Sequence, residues 1–195
     1  MKAKELIHPS AFILHPFVPM RWFWIDRYTE FESGRFAAAI KNVSLAEEHL
    51  HDHFPGAPVM PNALVIEGLA QTGGLLVAEH GAFAERVVLA KVAKARFHFS
   101  AVPGDTLLYR ATIDAIHKDG AVVSGTSHVG SRLQGEVQLF FAHLNEATAG
   151  KWLFDPASLL AMLRLLRVFE VGRDPQGRPL AIPPALRSEV PLPGD

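Results

Sequence analysis

The stretch Asn62–Glu79 (NALVIEGLAQTGGLLVAE) restricts the possible folds of this chain more than any other segment. Read as a helix, it carries apolar side chains on nearly every face, and such a helix must be covered all round. Pro61 stands ready at its first turn, where proline is tolerated. The flanking sequence supplies the cover. Arg21–Phe31 and Arg35–Val43, separated by Ser33-Gly34, are aromatic-rich or partly alternating and read as a strand hairpin. Val87–Ser100, Thr106–His117, Ala121–Val129 and Leu133–Leu144 are four more strand-like runs, divided by Pro103-Gly104-Asp105, Asp119-Gly120 and Gly130-Ser131. Short connections of this kind favour antiparallel pairing. The expectation is an α+β fold in which a sheet wraps one buried helix.

At 195 residues the chain fits one core with some decoration. The hydrophobic share is 49% against 20% charged, which places it among globular proteins, and the apolar excess suits a partner subunit or a ligand tunnel. Asp155-Pro156 opens a second helix pattern through Leu159, Met162, Leu163 and Leu166 to about Phe169. We expect that helix to pack on the sheet, an amphipathic membrane contact being the lesser reading. Beyond Gly172 the Pro- and Gly-rich tail is expected to be extended, either mobile or laid along a surface. The division is therefore 1–145 as the main domain and 146–195 as a C-terminal helix and extension.

A formal charge of −1 gives no global field toward nucleic acid or anionic membrane, so an acidic partner must meet a local basic patch. Cysteine is absent, which removes disulfides, thiolate metal sites and cysteine nucleophiles. Met1–Ser10 does not read as a signal peptide, and no apolar run approaches the length of a membrane span. A cytoplasmic soluble protein is the expectation.

Glu67, in the middle of the apolar helix, is the first chemical suspect, because a desolvated carboxylate must find a partner or raise its pKa. It serves chemistry or else pairs with an arginine along a subunit groove. Gln71, one turn later, shares its face and either orients Glu67 or bonds to backbone. Before the helix, His49–Pro61 (HLHDHFPGAPVMP) is too dense in proline for a regular helix or central strand and is expected to form an ordered loop. His49, His51 and His53 alternate, a conceivable metal-ligand spacing in extended chain, but Pro55 and Gly56 break that geometry. His53 is better used as a general base, since imidazole titrates near neutral pH, or else it simply caps the proline loop. The free N–H groups at the helix start are suited to a carbonyl oxygen that gains negative charge.

His53-Phe54-Pro55-Gly56, Pro58-Val59-Met60-Pro61 and Leu64–Gln71 (LVIEGLAQ) together resemble the active-site segment of the beta-hydroxyacyl-acyl-carrier-protein dehydratases of fatty acid synthesis. Val102-Pro103-Gly104-Asp105 also resembles that family's turn before a long strand, and the similarity runs from Pro19 to Leu144. Asn62 stands where the family has a glycine, and Pro19–Trp24 lacks its histidine-arginine-tyrosine-proline run. The resemblance implies a hot-dog fold and a catalytic pair of His53 and Glu67, fourteen residues apart. It implies a homodimer, in some cases a trimer of dimers, whose sites each take the histidine from one subunit and the acid from the other.

The implied reaction is dehydration of a 3-hydroxyacyl thioester on acyl carrier protein, with no metal and no redox cofactor. Backbone N–H groups at Gly56 and Asn62, with Gln71 nearby, are then the candidate substrate contacts, and Phe97 and Phe99 line a tunnel or, more simply, belong to the core. Lys91, Lys94 and Arg96 are candidate contacts for an acidic carrier, or else a solvated strand face. Two rival readings share the fold: an acyl thioesterase and a catalytically inactive acyl-binding homologue.

Overall fold

A computed structural model describes residues 23–144 and 156–187. Strands β1 (Arg27–Glu32) and β2 (Phe36–Asn42) form the opening hairpin, followed by one helical turn, α1 (His49–Asp52), and the long helix α2 (Asn62–His80). Four longer strands come next: β3 (Arg86–Phe97), β4 (Thr106–His117), β5 (Gly120–Val129) and β6 (Arg132–Leu144). Helices α3 (Pro156–Leu165) and α4 (Val168–Val171), a two-residue strand β7 (Gly172–Arg173) and a 3-10 turn (Pro184–Leu186) complete the described chain.

The sheet order is β3-β6-β5-β4-β2-β1-β7, antiparallel throughout except where β7 runs parallel to β1. Alternation decides which face meets the helix. Along β5, Ala121, Val123, Gly125 and Ser127 are buried while their neighbours are half-buried, and on β4 Leu107, Tyr109 and Ala111 are buried while Leu108 and Arg110 between them are exposed. These inward residues meet Val65, Leu69, Leu76 and Val77 of α2 in one continuous core. This is the expected hot-dog arrangement, a helix wrapped by a curved antiparallel sheet.

The structure corrects four expectations. The first strand begins at Arg27, because the Trp24 backbone N–H donates to the Gln71 side chain, 2.9 Å away, instead of to a neighbouring strand; Arg21 and Trp22 lie outside the described residues. The proline-rich segment opens with a helical turn, since its prolines begin only at Pro55 and Leu50 is buried beneath the turn. Helix α2 is not covered all round: Asn62, Ala63 and Glu67 are exposed. The second helix stops at Leu165, where Arg167 takes a left-handed backbone (φ 62°) before α4 resumes.

From α3 onward the described chain packs down, and the tail beyond Gly172 is laid along the core. Leu163, Leu166, Val168 and Leu186 join the main core, and the Tyr28 N–H donates to the Leu166 carbonyl at 2.9 Å. The boundary at 145, the cap at Asp155 and the last eight residues lie outside the described residues.

Candidate active site

The histidine-bearing segment is built from β2 outward. Ala37, Ala39, Lys41 and Val43 alternate inward along and just past β2, so Lys41 is carried into the interior. A buried ammonium demands partners. Lys41 forms an ion pair with Glu47, donates to the Asn42 carbonyl at 2.7 Å, and lies 3.8 Å from Asp26 Oδ1. Glu47 is thereby pinned where α1 starts, and its carbonyl accepts the Leu50 N–H at 3.0 Å.

The chain then reverses through Phe54-Pro55-Gly56-Ala57. The Ala57 N–H donates to the Phe54 carbonyl at 2.9 Å, and Gly56 sits at φ 76°, a position that only glycine adopts without strain. This turn presents His53. The Val59 N–H donates to the His53 carbonyl at 2.8 Å, the His53 ring Nδ1 lies 3.0 Å from the Val59 carbonyl, and the ring stacks on Phe54 at 4.2 Å. A carbonyl can only accept, so Nδ1 carries the hydrogen, and in the neutral ring Nε2 keeps its lone pair. The loop thus prepares one nitrogen of His53 to take up a proton.

On α2, Gln71 Nε2 donates to Glu67 Oε1 at 3.0 Å, while Gln71 Oε1 accepts the Trp24 N–H. The amide orientation is dictated by chemistry, because a backbone N–H must face the amide oxygen and the carboxylate must face the amide nitrogen. Gln71 therefore bonds both to Glu67 and to a backbone N–H, so both roles open to it from its place one turn along the helix are realised. Tyr28 adds a further tie from β1, its buried hydroxyl lying 3.2 Å from the carbonyls of both Gln71 and Thr72, and burial pushes the phenol pKa up.

The expectation of a buried Glu67 fails for the isolated chain. Glu67 is exposed, as are Asn62 and Ala63 in the first turn, and no hydrogen bond or ion pair among the described residues joins Glu67 to His53. The apolar periodicity read in the sequence has no second layer to meet on that side.

Gly56 and Asn62 are both exposed, and Pro61 occupies the cap position, its carbonyl accepting the N–H groups of Leu64 (2.9 Å) and Val65 (3.3 Å). The amides of Asn62 and Ala63 thus lie ahead of the first helical hydrogen bond. The three histidines do not project together: His51 Nε2 is 3.1 Å from the Leu45 carbonyl, whereas His49 turns its ring to Trp24. Among the described residues no group of His, Asp or Glu gathers as metal ligands. Phe97 packs against the core, and Phe99 lies under the Arg132 guanidinium at 4.1 Å. Lys94 lies 3.9 Å from Glu136, and Lys91 stands over the Phe140 ring.

Sequence reasoning missed Trp24, Lys41 and Glu47. Lys41 was legible as a charged residue at an inward position of an alternating strand; Trp24 and Glu47 became visible only with their partners in place.

A helix wrapped by a sheet, with an imidazole on a Pro-Gly turn at one end of it and a carboxylate-amide pair on its open face, defines a hot-dog protein with a polar site beside the helix. The chain belongs to the family of the FabA-like domain, whose model matches residues 19–136. It is 38% identical over 135 residues to the 3-hydroxyacyl-[acyl-carrier-protein] dehydratase FabZ of Symbiobacterium thermophilum, covering 69% of this chain and 92% of that one. It is 40% identical over 121 residues to the FabZ of Desulforamulus reducens, covering 60% and 84%. Among solved structures, smu.793 from Streptococcus mutans, bound to acetyl CoA, shares the fold at a TM-score of 0.53 and 15% identity, covering 66% of this chain and 95% of that one.

Proposed function

We propose that the protein is a hydro-lyase that removes water from a 3-hydroxyacyl thioester, with an acyl carrier protein as the thioester carrier and acyl-chain synthesis as the setting. The observation that carries this reading is the tautomer of His53: Nδ1 is committed to the Val59 carbonyl, which leaves Nε2 as a base. His53 removes the proton alpha to the thioester carbonyl, whose oxygen is held by the backbone N–H groups at Gly56 and Asn62. Glu67 protonates the departing 3-hydroxyl. The C–O bond breaks, the alpha carbon's electron pair becomes the new double bond, and water leaves. Because Gln71 occupies Oε1, the transferable proton of Glu67 belongs on Oε2.

The site is completed by a second copy of the chain. Strand β3 is an edge strand of 12 residues, exposed from Leu89 to Arg96, and a long uncovered edge is a template for another strand. Pairing there would also cover the open face of α2 and bring one chain's His53 toward the other's Glu67. Lys91, Lys94 and Arg96 on the same strand are the proposed contacts for the acidic carrier.

The test is hydration of a trans-2-enoyl thioester, on a carrier protein and on a pantetheine thiol, by wild type, His53→Ala and Glu67→Gln. Losses in kcat of about 100-fold or more in both variants are expected. Turnover that survives both substitutions would remove the pair from the mechanism. Release of free thiol without hydration would make the protein a thioesterase.

A further inference from the structure

Trp24 touches both halves of the proposed machinery. Its backbone N–H holds Gln71, and through Gln71 the carboxylate of Glu67. Its indole meets the His49 ring edge-on, with centroids 5.2 Å apart and an interplanar angle of 76°. His49 is the first residue of α1, and His53 is the residue that ends it. One side chain and its own amide therefore bridge the acid-bearing helix and the base-bearing turn of the same chain.

His49 is suited to act here as an aromatic surface and not as a titrating group. Its Nε2 is buried and has no hydrogen-bond partner among the described residues. Burial lowers its pKa below the ordinary 6.5; Glu47 opposes that, and Lys41 and His53 reinforce it. A neutral ring edge against an indole face is a favourable aromatic geometry.

We propose that Trp24 and His49 are positioning residues that fix His53 relative to Glu67 through their ring contact. The inference rests on the reading of His53 as base and Glu67 as acid. In a two-fold dimer each site takes these groups from different chains, so the base-to-acid distance depends on how rigidly each chain holds its own pair. A displacement of about 1 Å in such a pair costs up to about 100-fold in rate.

The experiment is steady-state hydration of a trans-2-enoyl pantetheine thioester by wild type, His49→Ala, His49→Phe, Trp24→Leu and the double variant Trp24→Leu/His49→Ala. His53→Ala and Glu67→Gln are run beside them, so that activity surviving those two marks failure of the underlying reading. Trp24→Leu keeps the amide that holds Gln71 and removes only the ring. His49→Ala and Trp24→Leu are each expected to lower kcat about tenfold with KM within about twofold. His49→Phe, which keeps a ring edge, is expected to recover kcat to within about twofold of wild type, and the double variant to be no slower than the worse single one.

Unchanged kcat in folded His49→Ala, or single effects that multiply in the double variant, would overturn the proposal. Should His49→Ala melt below the assay temperature, His49→Leu replaces it in the comparison with His49→Phe. Equal kcat in those two would dismiss the ring contact.

Discussion

The two edges of the sheet are finished differently. At one edge, β1 is six residues long and is covered by the chain itself: Phe31 and Glu32 pair with Gly172 and Arg173, and the Ser33 N–H donates to the Arg173 carbonyl at 2.9 Å. At the other, β3 is twice as long, pairs with β6 on one side, and is exposed over eight consecutive residues. An uncovered backbone edge invites further pairing, and proteins close or blunt such edges unless they use them. The C-terminal segment covers part of one edge, while the β3 edge is uncovered in the single chain, and it is there that we propose a second copy pairs.

The largest effect should come from spoiling the open edge. Ala93 lies in a β3 irregularity, between Val92 and Lys94, with no residue opposite it on β6. Proline is tolerated at such a position within the chain but removes an N–H from the strand. Ala93→Pro should give a folded monomer by light scattering coupled to size exclusion, with hydration activity down by about 100-fold or more; an active dimer would mean that assembly uses another surface.

Disturbing the closed edge should cost stability first. A Cβ on Gly172 would lie 2.5 Å from both Leu180 Cδ1 and the Val168 carbonyl oxygen, so Gly172→Val cannot be fitted without displacing β7. About 2–3 kcal/mol of destabilisation follows from overpacking of this severity, equivalent to a melting temperature lower by about 5–10 °C. The uncovered β1 edge should then yield irregular aggregates, distinguishable by scattering from a defined dimer.

A smaller change is expected from Lys91→Glu with Lys94→Glu on the open strand. Affinity for an acidic carrier protein should fall by about tenfold and lose much of its salt dependence, while turnover of the pantetheine substrate stays within about twofold. Equal losses on both substrates would place these lysines outside carrier recognition.

The smallest effect concerns Glu79, whose Oε2 is buried without a partner among the described residues. Burial raises its pKa above 4.5, opposed by the Ser33 hydrogen bond and the nearby His80. A carboxyl that binds its proton more tightly when folded is penalised as pH rises from 4.5 through the folded value. Glu79→Gln should thus raise neutral-pH stability by less than about 1 kcal/mol, part of the penalty being relieved by solvent. Denaturant titrations should show the gain vanish as pH falls below 4.5.

Much of this architecture was legible residue by residue. Apolar periodicity located α2, turn chemistry separated β3 to β6, and the HFPG segment singled out His53 and, fourteen positions on, Glu67. Helical spacing put Gln71 within reach of Glu67 but left open whether it would bond to the carboxylate or to backbone, and it does both. The exposure of Glu67 did not, because hydrophobicity records that a face needs cover and says nothing of which chain provides it. Nor did the late start of β1, since the Trp24 N–H is diverted by a glutamine 47 positions away.

By itself the sequence determined the long helix, the main strands and the chemical groups at hand, because these depend on local backbone preference and on periods of two and 3.6 residues. Tertiary structure decided the rest. It fixed which nitrogen of His53 carries its proton, which oxygen of Glu67 is left free, how Lys41 is neutralised, and which sheet edge stays open. Each of these depends on a partner remote in the chain, and hydrogen-bond geometry exists only once both partners are in place.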